Sequence, residues 1–175
     1  MTHDLIFAMD IFELIKTRRS IRKFTEKNID DEMINKIIEA GTWAPSGLNN
    51  QPWRFAVIKD AELKQEIATL THYSKVVLSA NVLIAVFLDT ASSYDRTKDL
   101  QAVGACIQNM LLFIHSVGLG AVWLGEILKN RESVLSIVDG PKDFELMAVI
   151  ALGYPASQGG KGSRNKAGQS VFFRK

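Results

Sequence analysis

The residues with the clearest chemical potential are the basic side chains of the stretch TRRSIRKF, which runs from Thr17 to Phe24. Arg18, Arg19 and Arg22 lie close together there, with the hydroxyl of Ser20 among them. Arginine forms planar, forked, charge-assisted hydrogen bonds to phosphate, so this stretch can bind a phosphorylated ligand. The same charges can instead only complement the negative end of a preceding helix. Spacing alone leaves both interpretations open.

A second candidate site is the stretch APSGLNNQPWRF, from Ala44 to Phe55. Its prolines restrict the backbone, and Gly47 permits a close backbone approach or an unusual φ angle. Asn49 and Gln51 each carry both hydrogen-bond donors and an acceptor. The pyrimidine edge of a flavin needs that mixture, because its carbonyls accept and its N3–H donates. The alternative is a rigid turn between helices.

Two tryptophans flank this stretch, and we expect both to pack rather than to stack on a ligand. Trp43 precedes Ala44, and Trp53 follows Pro52. Large aromatic side chains contribute most when their surface is buried. We therefore predict that Trp43 and Trp53 hold the loop still from within the core.

Several common catalytic patterns are missing from the sequence. The segment GLGAVWLG places Trp123 where a dinucleotide fingerprint needs its third glycine, and GGKG lacks P-loop spacing. The three histidines and Cys106 have no metal-ligand spacing, so no metal site is predicted. We expect Cys106 to be buried and His115 to be structural. An enzyme with so few acid–base groups takes its chemistry from a cofactor.

Composition indicates one domain of an ordinary globular protein. The chain has 175 residues, of which 47% are apolar and 23% charged, and its formal net charge of +2 is too small to indicate nucleic-acid binding. The first residues lack a basic leader and a cleavage site, and the longest apolar run, Val82 to Leu88, is too short to span a bilayer. With a single cysteine, a reducing cytoplasm is expected.

Hydrophobic periodicity predicts an α+β protein in which helices outnumber strands. The predicted helices are a first helix ending near Arg18, a second over Asp30 to Gly41, and others over 61–70, 99–117 and 131–138. The predicted strands are 54–59, 82–88, the GLGAVWLG segment and 145–152, the last of them central. Residues 156–175 form a tail rich in glycine and lysine, with a short apolar patch at Val171 to Phe173. It cannot build a core alone, so it is either disordered or needs another surface to lie on.

Taken together, these motifs resemble the nitroreductase family of FMN-dependent oxidoreductases. The arginine stretch is followed at the family's spacing by A-P-S-x-x-N-x-Q-P-W. The segment DLQAVGACIQNMLLFIHSVGLGAVWLGEI is similar to the family's long central helix and following strand, and MAVIALGYP to its late core strand. The resemblance implies a central, mostly antiparallel sheet flanked by helices. It also implies an intertwined homodimer with FMN at the subunit interface, and a tail over 156–175 that packs on the partner.

The resemblance also implies which residues bind the cofactor. Arg18, Arg19 and Ser20 match the family's residues around the FMN phosphate and ribityl chain, and Arg22 matches a basic residue that tunes the flavin from its N1 and O2 side. A second set matches the loop against the ring, contributed by the other subunit, and the segment whose backbone N–H approaches N5 and O4. These residues are Pro45, Ser46, Asn49 and Gln51 for the loop, and Leu124, Gly125 and Glu126 for the segment.

The tail departs from the family pattern. Relatives commonly complete the phosphate site with a basic pair near the C-terminus, where this chain has KGSRNKAGQSVFFRK. Arg164 is the best candidate for that role and Lys161 the next. The insertion that forms an active-site lid in many relatives is absent.

The implied activity is hydride transfer from NADH or NADPH through flavin N5 to an electron-poor acceptor, such as a nitroaromatic or quinone, in a ping-pong cycle without a catalytic side chain. Other reactions on the same flavin fold, such as reductive dehalogenation or flavin metabolism, stay open, as does a non-enzymatic flavin-binding role. The choice between NADH and NADPH also stays open.

Overall fold

Four antiparallel strands form the centre of the molecule in the computed structural model, which describes residues 10–175. The strands are β1 (Trp53–Ile58), β2 (Val82–Asp89), β3 (Gly120–Leu124) and β4 (Phe144–Gly153). Their order across the sheet is β1-β2-β4-β3, so β1 and β3 form the opposite edges. The predicted α+β architecture with a mostly antiparallel sheet is confirmed. The interpretation of the first residues as lacking a leader concerns a segment outside the described residues.

Helices cover both faces of this sheet. They are α1 (Ile11–Thr17), α2 (Asp31–Thr42), α3 (Ala61–Thr69), α4 (Ser74–Ser79), α5 (Arg96–Ser116) and α6 (Arg131–Ile137). Three short 3-10 helices occupy Gly47–Asn49, Glu126–Asn130 and Ala167–Ser170. Within residues 10–175, none of the helices combines the length and the apolar character that crossing a bilayer requires.

The continuous apolar run of β2 follows from burial on both of its faces. Ile84 and Val86 point into one core with α2 and α5, whereas Leu83, Ala85 and Phe87 point into a second core with α3, α4 and α6. Because alternate side chains of a strand face opposite sides of the sheet, a strand covered on both sides needs apolar residues at every position. All eight residues of β2 are buried.

Side-chain caps define where several helices begin. Asp10 and Asp30 accept hydrogen bonds from the backbone of Phe12 and Met33, as their positions predict. The long helix begins earlier than predicted, at Arg96 rather than Asp99, because Asp95 caps it by accepting from Lys98 N at 3.0 Å. The sequence pattern also missed α4, whose valines and serines have low helix propensity.

The tail over 156–175 lies on the surface. Apart from Gly159, which is half-buried, all of its residues are exposed, and Phe172 and Phe173 retain 102% and 70% of their accessible surface. These aromatic side chains therefore have little contact within their own chain.

Candidate active site at two edges of the sheet

The arginine stretch runs along the outer edge of β3. Ser20 forms a parallel bridge with Ala121, and Ile21 N donates to the carbonyl oxygen of Ala121 at 2.9 Å. The absence of a side chain at Gly120 allows this approach, because a Cβ atom there would lie 2.8 Å from Ile21. Ser20 and Ile21 are thus held beside β3, the strand that ends at Leu124.

A cluster of cations lines a cavity of about 820 Å³ at this edge. Arg18 and Arg19 lie on its wall with His115, and residues 155–160 close its other side. Burial, and then repulsion from Arg164 and Arg19, lower the pKa of the Arg18 guanidinium. Burial, followed by the charges of Arg18 and Arg19, also lowers the pKa of His115, whose Nε2 lies 3.0 Å from Thr17 Oγ1.

No carboxylate among residues 10–175 pairs with this cluster. The ion pairs of the described chain involve other arginines and lysines, and Arg164 bonds only to the carbonyl of Ser163, at 2.6 Å. Like charges brought together without an acid repel one another, so the cluster favours an anionic ligand. The charge of Arg164 contributes to the lowered pKa of Arg18, so the part of the tail that carries Arg164 lies near the arginine stretch.

Arg19 has a further structural role. Its guanidinium donates to the carbonyl oxygens of Lys16 and Arg18, at 2.7 and 2.8 Å, and to Gly160 at 3.2 Å. A Cβ atom at Gly162 would lie 2.5 Å from the guanidinium. Arg19 therefore fastens the tail to the arginine stretch. Lys161, between these glycines, is exposed.

Arg22 differs from Arg19 in having a free guanidinium. It is exposed and makes no side-chain hydrogen bond or ion pair with any residue from 10 to 175. Arg22 lies between Ser20, which bridges to Ala121 of β3, and Phe24, which bridges to Pro155 just after β4.

The end of β3 is open around Gly125, and the Glu126 side chain is bonded away from it. Leu124 is buried, Gly125 is exposed, and open space lies where a Cβ atom of Gly125 would be. Glu126 Oε2 accepts from Thr71 Oγ1 at 2.6 Å and from His72 N at 3.2 Å, and its other oxygen pairs with Lys129. Hydrogen bonding, first from Lys129 and then from Thr71, lowers the pKa of Glu126 to about 2.

The loop over 44–51 lies at the other edge of the sheet, just before β1. Its backbone is strained, because Leu48, Asn49 and Gln51 adopt φ angles of 54°, 55° and 46°. Left-handed conformations are costly for side chains such as leucine and glutamine, and they cluster at functional sites. Pro45 and Asn49 are exposed.

Side chains and tight packing stabilise this loop. Ser46 Oγ accepts from Gln51 N at 3.0 Å, and Gln51 Nε2 lies 3.4 Å from Asn49 O. Gly47 serves close approach rather than an unusual φ angle, since a Cβ atom would lie 1.8 Å from Tyr94 Oη. Ser46 and Gln51 are therefore partly committed to the loop itself.

A further anchor of the loop is the contact of Asn50 with Asp99, which the sequence pattern did not indicate. Asn50 Nδ2 donates to Asp99 Oδ1 at 2.8 Å and to Ser92 O at 3.3 Å. Asp99 is fully buried in the first turn of α5. In the sequence, the one indication was that Asp99 is an acidic residue in an apolar helix. The pattern could not show that its partner is the amide of Asn50, which is distant in sequence.

The two tryptophans of the loop behave differently. Trp53 is buried at 4% exposure, as predicted, but Trp43 is 80% exposed. The prediction that Trp43 packs in the core of its own chain is therefore wrong. Trp43 stands at the C-cap of α2, past the last turn whose periodicity directs side chains inward. Together with Leu48, which is 85% exposed, it leaves an apolar surface beside the loop.

The predicted residues thus form two groups within one chain. Those of the arginine stretch, the β3 end and the tail share the β3 edge, whereas the loop lies by β1. Two strands separate these edges, and neighbouring strands are about 4.8 Å apart, so at least about 14 Å divides the groups.

The structure gives neither Cys106 nor a metal-ligand group the features of a reactive site within residues 10–175. Cys106 is fully buried, and burial raises the pKa of its thiol to about 12. Within residues 10–175 no three histidine, cysteine or acidic side chains are grouped as metal ligands would be.

Comparison with known proteins agrees with this architecture. The model of the nitroreductase family matches residues 15–74 and 70–154. A protein of Methanothermobacter thermautotrophicus, provisionally named an NADH dehydrogenase/NAD(P)H nitroreductase, is 38% identical over 157 residues, which cover 89% of this chain and 82% of the relative.

Solved structures extend the similarity to the whole fold. A provisionally named nitroreductase from Desulfovibrio desulfuricans, crystallised in complex with FMN, has a TM-score of 0.89 and 41% identity, covering 99% of both chains. The NADPH:FMN oxidoreductase of Vibrio harveyi, crystallised with NAD+, has a TM-score of 0.85 and 26% identity, covering 94% of this chain and 76% of its own.

Proposed function

This chain belongs to the nitroreductase family, and we propose on that premise that it is an FMN-dependent oxidoreductase. In this proposal NADH or NADPH gives a hydride to the flavin, and an electron-poor acceptor such as a nitroaromatic or quinone then takes it. The observation that carries the proposal is the cluster of Arg18, Arg19 and Arg164, which has no acidic partner among residues 10–175. Such a cluster fits the phosphate of FMN.

The phosphate site is completed by the tail. Arg18 and Arg164 supply the free charge, and Arg19 holds the tail in place through Gly160. Ser20 adds a hydroxyl in this stretch, and Lys161 a second tail cation. Burial, and then repulsion from Arg164 and Arg19, lower the pKa of Arg18, and a phosphate, which carries nearly two negative charges at neutral pH, would offset both effects.

The ring site requires two subunits. The loop lies at the opposite sheet edge from the arginines of its own chain, so it can meet a flavin only when a second copy brings it there. Pro45, Ser46, Asn49 and Gln51 of one subunit would then face the ring bound by the arginines of the other. Trp43 is exposed beside this loop, and that contact would bury it. We therefore place the protein in a homodimer with two shared sites.

The end of β3 offers backbone rather than side chains. Because the Glu126 carboxylate is held by Thr71, His72 and Lys129, the backbone of Leu124, Gly125 and Glu126 is left to approach the ring. The open space at Gly125 leaves room for that approach.

Bound FMN supplies the two-electron chemistry that the side chains lack, with N5 as the hydride carrier. The protein orients the two substrates in turn and sets the electrostatics. Arg22 carries an unpaired positive charge, and a cation near N1 and O2 favours the reduced flavin by Coulomb attraction. No side chain needs to act as acid or base, because water can supply the protons. A reducing cytoplasm suits a chain with one buried cysteine.

The tail has a place in this dimer. Residues 156–175 leave Val171, Phe172 and Phe173 exposed on their own chain, and an apolar patch of this kind indicates a contact surface. We propose that this patch packs on the partner subunit, which would also fix Arg164 near the phosphate.

The experiment that tests this function is anaerobic reduction of the purified protein. It should be yellow with FMN, and it should bleach on addition of NADH or NADPH and regain its colour with a quinone or nitroaromatic. A panel that adds a halogenated aromatic and free flavin separates dehalogenation and flavin metabolism from this reaction. Steady NAD(P)H turnover excludes a purely flavin-binding role. A colourless protein that FMN cannot reconstitute would disprove the proposal.

A further inference from the structure

The buried carboxylate of Asp99 is an unusual feature beside the loop. Its side chain is fully buried, yet no cation contacts it. Instead it accepts hydrogen bonds from Ser93 Oγ at 2.6 Å, Asn50 Nδ2 at 2.8 Å and the backbone N–H groups of Tyr94 and Asp95 at 3.1 and 3.3 Å. Burial without a counter-ion is costly, so these bonds must all form to keep the group charged.

These bonds join two segments that are far apart in sequence. Ser93, Tyr94 and Asp95 belong to the connection before α5, and Asn50 belongs to the strained loop. Burial raises the pKa of Asp99, but the hydrogen bonds from Ser93 and Asn50 and those from the backbone outweigh it, so the net shift is downward. The carboxylate is therefore ionised at neutral pH, and it accepts from both segments at once.

Asn50 stands within the run of left-handed residues. Leu48 and Asn49 precede it and Gln51 follows it, all with positive φ, whereas Asn50 itself has a φ of −72°. Strained conformations persist only where surrounding contacts hold them. The bonds from Asn50 to Asp99 and Ser92 are such contacts, since they direct Asn50 inward and leave its neighbour Asn49 outward and exposed.

We propose that Asn50 and Asp99 are positioning residues, a pair that holds the loop in its strained shape so that Asn49 faces the flavin of the partner subunit. This inference rests on the proposed function for its flavin part. The anchoring itself is a property of the free chain. Neither residue touches the cofactor in this proposal; both act through the backbone of Leu48 to Gln51.

The test compares Asn50→Ala and Asp99→Asn with Asp95→Asn as the matched control. Asp95 caps the same helix, and its side chain accepts from Lys98 N without touching the loop. Asp95→Asn therefore makes the same chemical change, and asparagine still caps a helix well. Asn50→Ala keeps the test open if Asp99→Asn folds poorly, because Asn50 is only half-buried.

Amide hydrogen exchange of residues 45–51 in the flavin-free protein measures the anchoring alone. We expect exchange about tenfold faster in both loop variants and unchanged in the control, since a lost hydrogen bond to a charged group shifts local opening by about that factor. Unchanged exchange in Asn50→Ala and Asp99→Asn would overturn the inference, whether or not the protein binds flavin.

The visible spectrum and midpoint potential of the protein saturated with FMN measure the positioning. Both should shift in the two loop variants and stay constant in Asp95→Asn, whereas a purely structural role would lower the thermal midpoint and leave the spectrum of the bound flavin unchanged. Identical spectra and potentials in all variants would overturn the positioning role. If the wild-type protein binds no FMN at all, the proposed function and the flavin-facing role fail together, while the exchange result still decides the anchoring.

Discussion

Individual cations at the β3 edge have different partners, and this separates their expected roles. The guanidinium of Arg19 donates to three carbonyl oxygens. The charge of Arg164 repels that of Arg18, whereas Arg22 has no side-chain partner among the described residues. Because the Arg19 guanidinium already donates to three carbonyl oxygens, fewer of its N–H groups are left for a ligand. Substitutions at Arg18 and Arg22 are therefore the most informative.

Replacing Arg18 by alanine should weaken FMN binding without affecting a flavin that lacks the phosphate. A charge-assisted hydrogen bond contributes about 1.5–3 kcal/mol, so the FMN dissociation constant should rise roughly 10- to 100-fold. Riboflavin titration gives the internal control, and Lys142→Ala, which removes an exposed cation elsewhere, gives the control for net charge. Equal losses for FMN and riboflavin would contradict a phosphate role for Arg18.

Replacing Arg22 by alanine should make the bound flavin harder to reduce. Loss of about 1 kcal/mol of Coulomb stabilisation of the reduced form lowers a two-electron midpoint potential by roughly 20 mV. The measurement is anaerobic equilibration with a reference dye. Arg22→Lys keeps the charge and should keep most of the potential, so a potential unchanged in Arg22→Ala would rule out this tuning role.

The roles of residues could be predicted where they depend on charge, but not where they depend on backbone conformation. The arginines form one cluster because they are close in sequence and share an edge, as the stretch predicted. The left-handed angles of Leu48 and Gln51 could not be foreseen, since neither residue type prefers them. Nor could spacing tell that Asn50 faces inward and Asn49 outward.

At the scale of elements, one carboxylate joins the segment after β3 to the turn between α3 and α4. Glu126 accepts from Thr71 and His72 at that turn, and Asn130 Nδ2 donates to Leu70 O at 2.7 Å nearby. The backbone beside Gly125 is therefore supported from a distant part of the sequence. The prediction that Glu126 belongs to the site was made for its backbone, and these side-chain contacts are additional.

The low pKa of Glu126 predicts a loss of stability in acid. Its folded pKa of about 2 lies below the usual value of 4.5, so the unfolded chain binds the proton more readily. The stabilisation is complete above about pH 4.5 and is lost as the pH falls toward about 2. Glu126→Gln should flatten the fall of the thermal midpoint over this range, whereas Glu132→Gln, at an exposed site, should not. An unchanged acid slope in Glu126→Gln would contradict this assignment.

Strands could be predicted from the sequence more securely than short helices. The run of β2 is apolar throughout because both faces are covered, and a pattern of that kind has few alternatives. The helix α4 is six residues long and rich in valine and serine, so packing rather than propensity decides its conformation. The predicted start of α5, Asp99, falls within its first turn, because the apolar periodicity becomes visible only after the turn that Asp95 caps.

For the whole molecule, the decisive fact is that the two halves of the candidate site lie at opposite edges of one sheet. A single chain cannot close that gap, since β2 and β4 fill it. The aromatic side chains Trp43, Phe172 and Phe173 are exposed in one copy, and the proposed dimer would cover them. A sequence pattern indicates a surface between chains poorly, because the same apolar residue types are used for burial within one chain and for burial against another.

A shared site predicts that two impaired variants can restore each other's activity, at an FMN concentration that saturates the wild-type protein but not Arg18→Ala. Arg18→Ala damages the phosphate side, and Asn49→Ala removes the exposed amide that the proposal places against the ring. In a hybrid dimer of the two, one site combines both defects. The other site combines the intact arginines of one subunit with the intact loop of the other and is wild type.

Co-refolding equal amounts of the two variants should therefore recover activity that neither has alone. Random pairing makes half of the dimers hybrid, each with one intact site of two, so NAD(P)H turnover should reach about a quarter of the wild-type value. Mixing the folded variants without unfolding gives the control, since the subunits of the proposed intertwined dimer would exchange slowly. If each chain instead held a complete site, every site in the hybrid would carry one defect, and turnover would stay at the mean of the two variants.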